Sequence, residues 1–177
     1  MLLRNHADAQ HPTPRSSHLI SVDLHSFNRS ISSVGNVFGQ PGLAGVYELN
    51  NVSCSNQPAA YKLGYNNDGD CDPAGNDPQV ASTLLRHGDF EYFTGSLVWD
   101  PAIPDHDLPD SYYLTSKPSF FGDLRWPAFG SDLAPVIGVL PARHCFEQGK
   151  MPNCLEVSIF SDGFESGDTS VWSLVVW

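Results

Sequence analysis

Apolar residues occupy every second position in several short runs of the chain, which is the pattern of half-buried β-strands. The alternating and β-rich runs lie at residues 18–25, 31–38, 44–49, 59–65, 83–93 and 96–99. Turn-forming Gly, Asn, Asp and Pro residues separate them. No apolar stripe with the 3.6-residue period of a helix extends over ten residues. The pattern therefore predicts a nearly all-β chain.

Glycines follow three of these runs at a nearly constant interval. Gly39, Gly64 and Gly88 are separated by 25 and 24 residues, which is about one coil of a β-solenoid. Asn36 lies at a predicted corner, where an asparagine side chain can hydrogen-bond the backbone of a neighbouring turn. The interval and the asparagine together predict about three stacked coils.

Proline and aromatic residues are concentrated between residues 108 and 130. Each proline removes a backbone donor and favours an extended residue before it, so this segment cannot be a helix. Six aromatic side chains in it need a surface to cover, and these are Tyr112, Tyr113, Phe120, Phe121, Trp126 and Phe129. We predict an extended strap over residues 100–135 that lies on the strands.

The order Leu-Pro, Tyr-Leu, Lys-Pro, Trp-Pro and Gly within residues 108–130 resembles the segment after the last coils of secreted right-handed parallel β-helix proteins of the pectate-lyase-like superfamily. The strings at residues 3–6 and 140–146 resemble an internal strand and the closing segment of the same group. The resemblance implies a β-helix end piece over residues 1–99 and a strap with a cystine-closed terminus over 100–154. A compact β-sandwich is the alternative.

The last residues, 155–177, differ in character. The run Phe-Ser-Asp-Gly-Phe-Glu-Ser-Gly-Asp is similar to a sequence near the carboxyl ends of many unrelated secreted bacterial proteins, which implies a terminal tag or a truncated module. The first ten residues contain no apolar run of signal-peptide length. We therefore expect Met1 to lie inside a longer reading frame that carries the export signal and earlier coils.

The net charge of the chain limits the classes of molecule that it is expected to bind. Nine Lys and Arg against 20 Asp and Glu give a formal charge of −11, which opposes binding to nucleic acid and to anionic membranes. No stretch is apolar for long enough to span a bilayer. The expected partner is a polysaccharide or a cell-surface glycan, and the expected location is secreted or at the cell surface.

Four cysteines allow three pairings. We favour Cys54–Cys71 and Cys145–Cys154, because each bridge would close one loop rich in Gly, Asn or Pro. A zinc site would show the tighter Cys-x-x-Cys spacing, which is absent from the sequence. Disulfides imply an oxidising compartment, and a cytosolic protein with four free thiols is the competing interpretation.

An acidic cluster at residues 67–77 contains Asp68, Asp70 and Asp72, which alternate as the first ligands of a calcium loop do. The continuation departs from the EF-hand pattern, with Pro73 at the position of the turn glycine and Gln79 at the position of the closing glutamate. Calcium is therefore the only candidate cofactor, held by a loop of another type, and a solvated turn is the alternative.

Catalytic signatures are missing from the sequence, which has no histidine metal motif, nucleophile elbow, phosphate loop or dinucleotide fingerprint. Arg86, His87 and Asp89 form the closest ionisable set, but alternation on a strand sends Arg86 and His87 to opposite faces. We assign no catalytic and no carbohydrate-binding residues. The expected function is the carboxyl-terminal part of a carbohydrate-active β-helix protein, itself non-catalytic, and the alternative is a non-catalytic glycan-binding or adhesion solenoid.

Overall fold

A computed structural model of the chain describes residues 1–10, 13, 17–51, 54–55, 57–66 and 72–149. Its strands are β1 (Leu2–Leu3), β2 (His6–Ala7), β3 (Ile20–Leu24), β4 (Ser32–Val34), β5 (Val37–Phe38), β6 (Val46–Asn50), β7 (Ala59–Leu63), β8 (Leu85–His87), β9 (Asp89–Glu91) and β10 (Ser96–Val98). Its helices are α1 (Gln79–Ser82) and α2 (Pro141–Glu147), and Ser119–Phe121 form a 3-10 turn. Each run that alternation marked contains at least one strand.

The strands form three small, separate sheets. The orders are β1-β4-β8 in the first sheet, β10-β9-β5-β2 in the second and β3-β7-β6 in the third. Strand β10 runs antiparallel to β9, and the other described pairs are parallel. The strands are only two to five residues long, so each sheet is narrow and must be supported by packing against the others.

The predicted right-handed parallel β-helix is wrong. Strands in a solenoid stack in chain order at a nearly constant interval, but in the third sheet β7 lies between β3 and β6. The offsets between paired residues also differ widely: Leu2 pairs with Ser33, Val34 with His87, Ile20 with Ala59 and Val46 with Ala59. The antiparallel β9–β10 pair adds a mixed orientation. The all-β class holds only loosely, because two short helices interrupt it.

The regular interval between Gly39, Gly64 and Gly88 does not reflect a structural repeat either. Gly39 follows β5 in the second sheet, and Gly64 follows β7 in the third. Gly88 instead lies between β8 and β9, and its structural counterpart is Gly35, between β4 and β5. Both Gly35 and Gly88 have positive φ, so the same left-handed corner occurs in the two neighbouring chain segments.

Aromatic side chains fill the core between the sheets. Tyr61 and Phe38 are buried and meet edge to face, with 5.2 Å between ring centroids. Tyr47 approaches the other side of Tyr61 at 5.5 Å, and Leu63 and Val80 complete this buried cluster. Burial of one such side chain stabilises the fold by about 1.5–3 kcal/mol, so this cluster is a main source of stability for the strands.

A polar ladder connects the corners of the first two sheets. Asn36 accepts a hydrogen bond from the backbone N–H of Asn5 at 2.9 Å. Asn36 in turn donates its own backbone N–H and its side-chain Nδ2 to Asp89 Oδ1, at 2.8 and 2.9 Å. The expectation that Asn36 would bond the backbone of a neighbouring turn is confirmed, although the turns do not belong to a solenoid.

The segment after β10 is largely irregular and crosses the glycine corners. A Cβ on Gly88 would lie 2.8 Å from both Leu108 and Trp99, and a Cβ on Gly35 would lie 3.2 Å from Leu108. The glycines therefore allow Leu108 to approach the backbone closely. The predicted extended strap is interrupted by the 3-10 turn, and α2 lies where the closing segment was predicted. Tyr112 and Tyr113 remain 50% and 88% exposed.

The predicted pairing of Cys54 with Cys71 and of Cys145 with Cys154 falls partly outside the described residues. Cys54 and Cys145 are described and are not free thiols. Cys71 and Cys154, their predicted partners, lie outside the described residues, as does the predicted tail at 155–177. Both described cysteines are disulfide-bonded, and which cysteine each one pairs with stays a prediction. Among the same residues, no helix combines the length and the apolar content that a membrane span requires.

Candidate functional site

An open cavity of about 590 Å³ lies where β1 and the corner after it meet the segment that follows β10. Its volume is within the range of small-molecule sites. The apolar and aromatic lining residues are Met1, Leu3, Tyr113, Phe121, Trp126, Pro127, Ala128, Phe129 and Leu140. The polar lining residues are Arg4, Asn5, Asp110 and Ser111. We call it the aromatic cavity.

The aromatic wall of this cavity is open to solvent. Tyr113 is 88% exposed, and Trp126 and Phe129 are half-buried. Phe129 is held by His6 of β2, with 5.6 Å between the ring centroids. The Phe129 backbone forms an isolated antiparallel bridge with Ile137. The cavity therefore combines a fixed ring, a half-buried indole and a phenol ring that is free of packing.

Arg4 lines the aromatic cavity, and its guanidinium N–H groups are all hydrogen-bonded within the protein. Its guanidinium donates to both carboxylate oxygens of Asp132, at 2.8 and 2.9 Å. It also donates to the carbonyls of Leu108, Pro109 and Phe129. Burial alone would raise the pKa of Asp132, but the hydrogen bonds from Arg4 hold that pKa below its ordinary value. Arg4, the one guanidinium that the described residues bring to this cavity, is thus already neutralised.

Two polar groups at the rim keep hydrogen-bonding capacity. Asp110 is exposed and lies 3.8 Å from Arg4 Nη2, which is too far for a strong hydrogen bond. Ser111 Oγ accepts the backbone N–H groups of Tyr113 and Leu114, both at 3.1 Å, and these bonds leave its hydroxyl proton for another acceptor. The rim can therefore both accept and donate hydrogen bonds to a ligand.

A second cavity of about 240 Å³ adjoins the first, and Met1 lines both. We call it the histidine cavity, because His87 of β8 lines it together with Ser32, Asp105, Asp107 and Tyr112. His87 is 5% exposed, and its Nε2 lies 2.8 Å from the Asp105 carbonyl oxygen. Its Nδ1 has no hydrogen-bond partner among the described residues.

An aromatic stack covers His87. The Trp99 and His106 rings are parallel, with centroids 4.0 Å apart and planes inclined by 7°. The His87 ring meets Trp99 edge to face at 4.8 Å. The alternation of apolar residues marked the strand that leads into Trp99, but no signal in the sequence indicated that His106 would return to stack on it.

The predicted ionisable set, Arg86, His87 and Asp89, does not converge on one target. Arg86 forms an ion pair with Glu48 and lies over the rings of Tyr47 and Tyr61. Asp89 is 1% exposed and accepts a hydrogen bond from the Tyr61 hydroxyl at 2.9 Å. Burial raises the pKa of Asp89, and hydrogen bonds from Asn36, Ser33 and Tyr61 oppose that rise. Arg86 and Asp89 are therefore structural residues, whereas His87 faces another region.

The predicted calcium ligands fall mostly outside the described residues. Asp68 and Asp70 are not described, and Asp72 Oδ1 accepts the backbone N–H of Ala74 at 2.8 Å in a turn. Across the described ranges, no group of three or more His, Cys, Asp or Glu side chains is arranged to hold a metal ion. Calcium binding by the Asp68, Asp70 and Asp72 loop therefore stays a prediction.

A polar cluster on β3 and after β7 was missed from the sequence. The Tyr65 hydroxyl lies 3.0 Å from Asp23 Oδ2 and 2.6 Å from His25 Nε2. Burial raises the pKa of Tyr65, and the hydrogen bond to Asp23 raises it further. Because this hydroxyl is buried and holds its proton at neutral pH, the cluster fixes the loop after β7 and offers no nucleophile.

Comparison of the chain with protein-family models, with curated protein sequences and with solved structures finds no match. The resemblance to pectate-lyase-like β-helix proteins is therefore wrong on two counts, since neither a family relation nor the sheet arrangement supports it. No function can be transferred from a relative. The function has to be argued from the two cavities themselves.

Proposed function

We propose that this chain is a non-catalytic glycan-binding protein, and that the aromatic cavity is its binding site. The observation that carries the proposal is the aromatic wall formed by the exposed Tyr113 and the half-buried Trp126, next to polar groups that also line the cavity. Without a β-helix, the expected part of a carbohydrate-active β-helix protein loses the resemblance on which it rested. The glycan-binding alternative remains, because it depends on the aromatic side chains and not on a solenoid.

Sugar rings fit this surface for two reasons. One face of a pyranose ring consists of C–H groups, and these groups are attracted to the negative face of an aromatic ring. The edge of the same ring carries hydroxyl groups, which need both donors and acceptors. Trp126 and Tyr113 supply the aromatic faces, and Asp110 and Ser111 supply the acceptor and the donor at the rim.

The absence of catalysis is part of the proposal and is supported by the use of the buried carboxylates. Asp89 accepts bonds from Asn36 and Tyr61, and Glu91 accepts the backbone N–H groups of Thr94 and Ser96. Both carboxylates are 1% exposed. An acid or base for glycoside chemistry must reach the substrate within hydrogen-bond distance, and these two groups are occupied inside the fold. We further infer an extracellular location, which the four cysteines favour.

The test is calorimetric titration of the purified chain with short neutral oligosaccharides. We expect saturable binding, and we expect Tyr113→Ala to weaken it by roughly fivefold or more, because an aromatic contact of this kind contributes about 1 kcal/mol. Tyr113 is almost fully exposed, so its removal should leave the melting temperature unchanged.

Phe146→Ala is the matched control. Phe146 is also an exposed aromatic residue, but it lies on α2 and does not line the aromatic cavity. Its replacement should leave glycan affinity unchanged. Equal losses in the two variants, or no binding of any oligosaccharide at millimolar concentration, would refute the proposed function.

A further inference from the structure

The aromatic cavity and the histidine cavity share one wall. Asp110, Ser111 and Tyr113 face the first cavity, while Pro109 and Tyr112 face the second. Met1 contributes to both. A ligand longer than one sugar ring that binds in the first cavity therefore extends beside the second.

Exposed carboxylates line this combined surface, and of these only Asp110 lies near a cation, 3.8 Å from Arg4 Nη2. Asp105 and Asp107 line the histidine cavity, Asp110 lines the aromatic cavity, and all three are exposed. Among the described residues, Arg4 is the only Lys or Arg that lines either cavity, and Asp132 already neutralises it. An anionic sugar would thus meet repulsion with no compensating cation.

His87 supplies an independent indication of the ligand. A carbonyl oxygen can only accept a hydrogen bond, so the His87 Nε2 that contacts the Asp105 carbonyl must carry the proton. In the neutral ring Nδ1 is then an acceptor, and it is buried without a partner among the described residues. A buried acceptor without a donor costs about 1–3 kcal/mol, and a donating ligand in the histidine cavity, which His87 lines, would recover that cost once a small turn of the ring exposes Nδ1.

We infer that the two cavities together bind a glycan that carries free amino groups, with a sugar ring on the aromatic wall and an ammonium group beside Asp105, Asp107 and His87. The inference rests on the proposed function and specifies its ligand. An ammonium group has three donors and no acceptor, and this matches a surface that offers carboxylate oxygens and an imidazole acceptor. The same surface disfavours uronic acids.

The experiment compares three oligosaccharides of equal length by calorimetry in low salt: a β-1,4-linked glucosamine oligomer, its N-acetylated counterpart and a galacturonate oligomer. We expect the glucosamine oligomer to bind roughly fivefold to tenfold more tightly than the N-acetylated one, because each exposed charge pair contributes at most about 1 kcal/mol. Raising the salt concentration should remove this preference. The galacturonate oligomer should bind least tightly.

Asp105→Asn is the test variant and Asp8→Asn is its matched control. Each aspartate is exposed and accepts the backbone N–H two residues later, at 2.9 Å for Asp105 and 3.0 Å for Asp8. Asparagine keeps this turn in both positions. Asp8 lines neither cavity. We expect Asp105→Asn to reduce the preference for the glucosamine oligomer by roughly threefold and Asp8→Asn to leave it unchanged.

The outcomes separate this inference from the proposed function. Equal binding of the glucosamine and N-acetylated oligomers would overturn the inference and leave the proposed glycan binding intact. Tighter binding of galacturonate, or equal effects of Asp105→Asn and Asp8→Asn, would also overturn it. Failure of all three oligomers to bind would overturn both.

Discussion

The strands between residues 2 and 98 and the segment between residues 99 and 149 are held by different kinds of hydrogen bond. Backbone ladders join the strands across three sheets. In the described part of the later segment, one isolated bridge, between Phe129 and Ile137, is the only strand-like pairing. Side chains attach this segment to the strands: Arg4 reaches four of its residues, and Ser131 Oγ donates to the Gly88 carbonyl at 2.5 Å.

This difference determines how each region responds to damage. A ladder consists of many equivalent bonds, so the loss of one leaves its neighbours in place. The later segment depends on few contacts. Most of them converge on the guanidinium of Arg4, which lies in the corner between β1 and β2. Both cavities lie at this junction, so the proposed binding surface is only as stable as the attachment of the later segment.

The largest expected effect is that of Arg4→Met, which removes the attachment. Arg4 has 4% side-chain exposure, and its loss would leave Asp132 and three carbonyl groups without their donor. We expect the free energy of unfolding to fall by about 3 kcal/mol, at the low end for a broken buried pair because Asp132 is partly exposed. Urea denaturation measures this change, and limited proteolysis should cut first between residues 108 and 132.

Arg143→Met is the control for that variant. Arg143 pairs with Glu147 on the surface of α2, and both side chains are about half exposed or more. A pair of this type contributes about 0.5 kcal/mol or less. If Arg4→Met cost no more than Arg143→Met, the single-anchor description of the later segment would be wrong.

The second-largest expected effect is that of a substitution at Asp89, in the strand region. Alanine would leave the backbone N–H of Asn36 without its acceptor inside the core, and the Tyr61 hydroxyl would keep only Ser33 Oγ as a partner. We expect Asp89→Ala to lower the free energy of unfolding by about 2–3 kcal/mol. Asparagine keeps an acceptor oxygen and carries no buried charge, so Asp89→Asn should stay within about 1 kcal/mol of the wild type. Thermal melting at neutral pH compares the two, and equal losses would contradict this account.

The sequence located the strands but not their partners. Period-2 alternation marked β3 and β10, and β7, whose five residues are all buried, lay in a β-rich run without alternation. Alternation does not say which strand pairs with which, and the glycine interval suggested an order that the β3-β7-β6 sheet contradicts. Local patterns cannot encode pairings at unequal offsets.

The two cavities were predictable only in part. The concentration of aromatic residues between 108 and 130 indicated which side chains form the aromatic wall, and the acidic net charge agreed with a surface rich in hydrogen-bond acceptors. Arg4 and Asp132 are 128 residues apart, and each is an ordinary charged residue in its local sequence. His87 was considered only with Arg86 and Asp89, whereas its contacts come from Trp99 and Asp105.

The smallest expected effect is a difference in acid response between the two regions. The pKa of Asp132 is lowered in the folded state, so its contribution to stability is present above the unfolded pKa of about 3.9 and is lost as pH falls through the folded value. The pKa of Asp89 is raised by burial, so its contribution is present below about 3.9 and is lost as pH rises through its folded value. Acidification therefore weakens the attachment of the later segment while it favours the core around Asp89.

Hydrogen exchange across a titration from neutral pH to about pH 3 measures this difference. We expect protection to fall first at Gly130 and Gly138, whose N–H groups bond within the later segment, and to persist in β5 and β9. The shift should be about 1 kcal/mol or less, since solvent screens Asp132. The hydrogen bond from Arg29 also lowers the pKa of Asp77. Acid therefore weakens the region near α1 as well, and the amides there do not distinguish the strand region from the later segment. Simultaneous loss of protection in β5, β9 and the later segment would show that the two regions unfold as one unit.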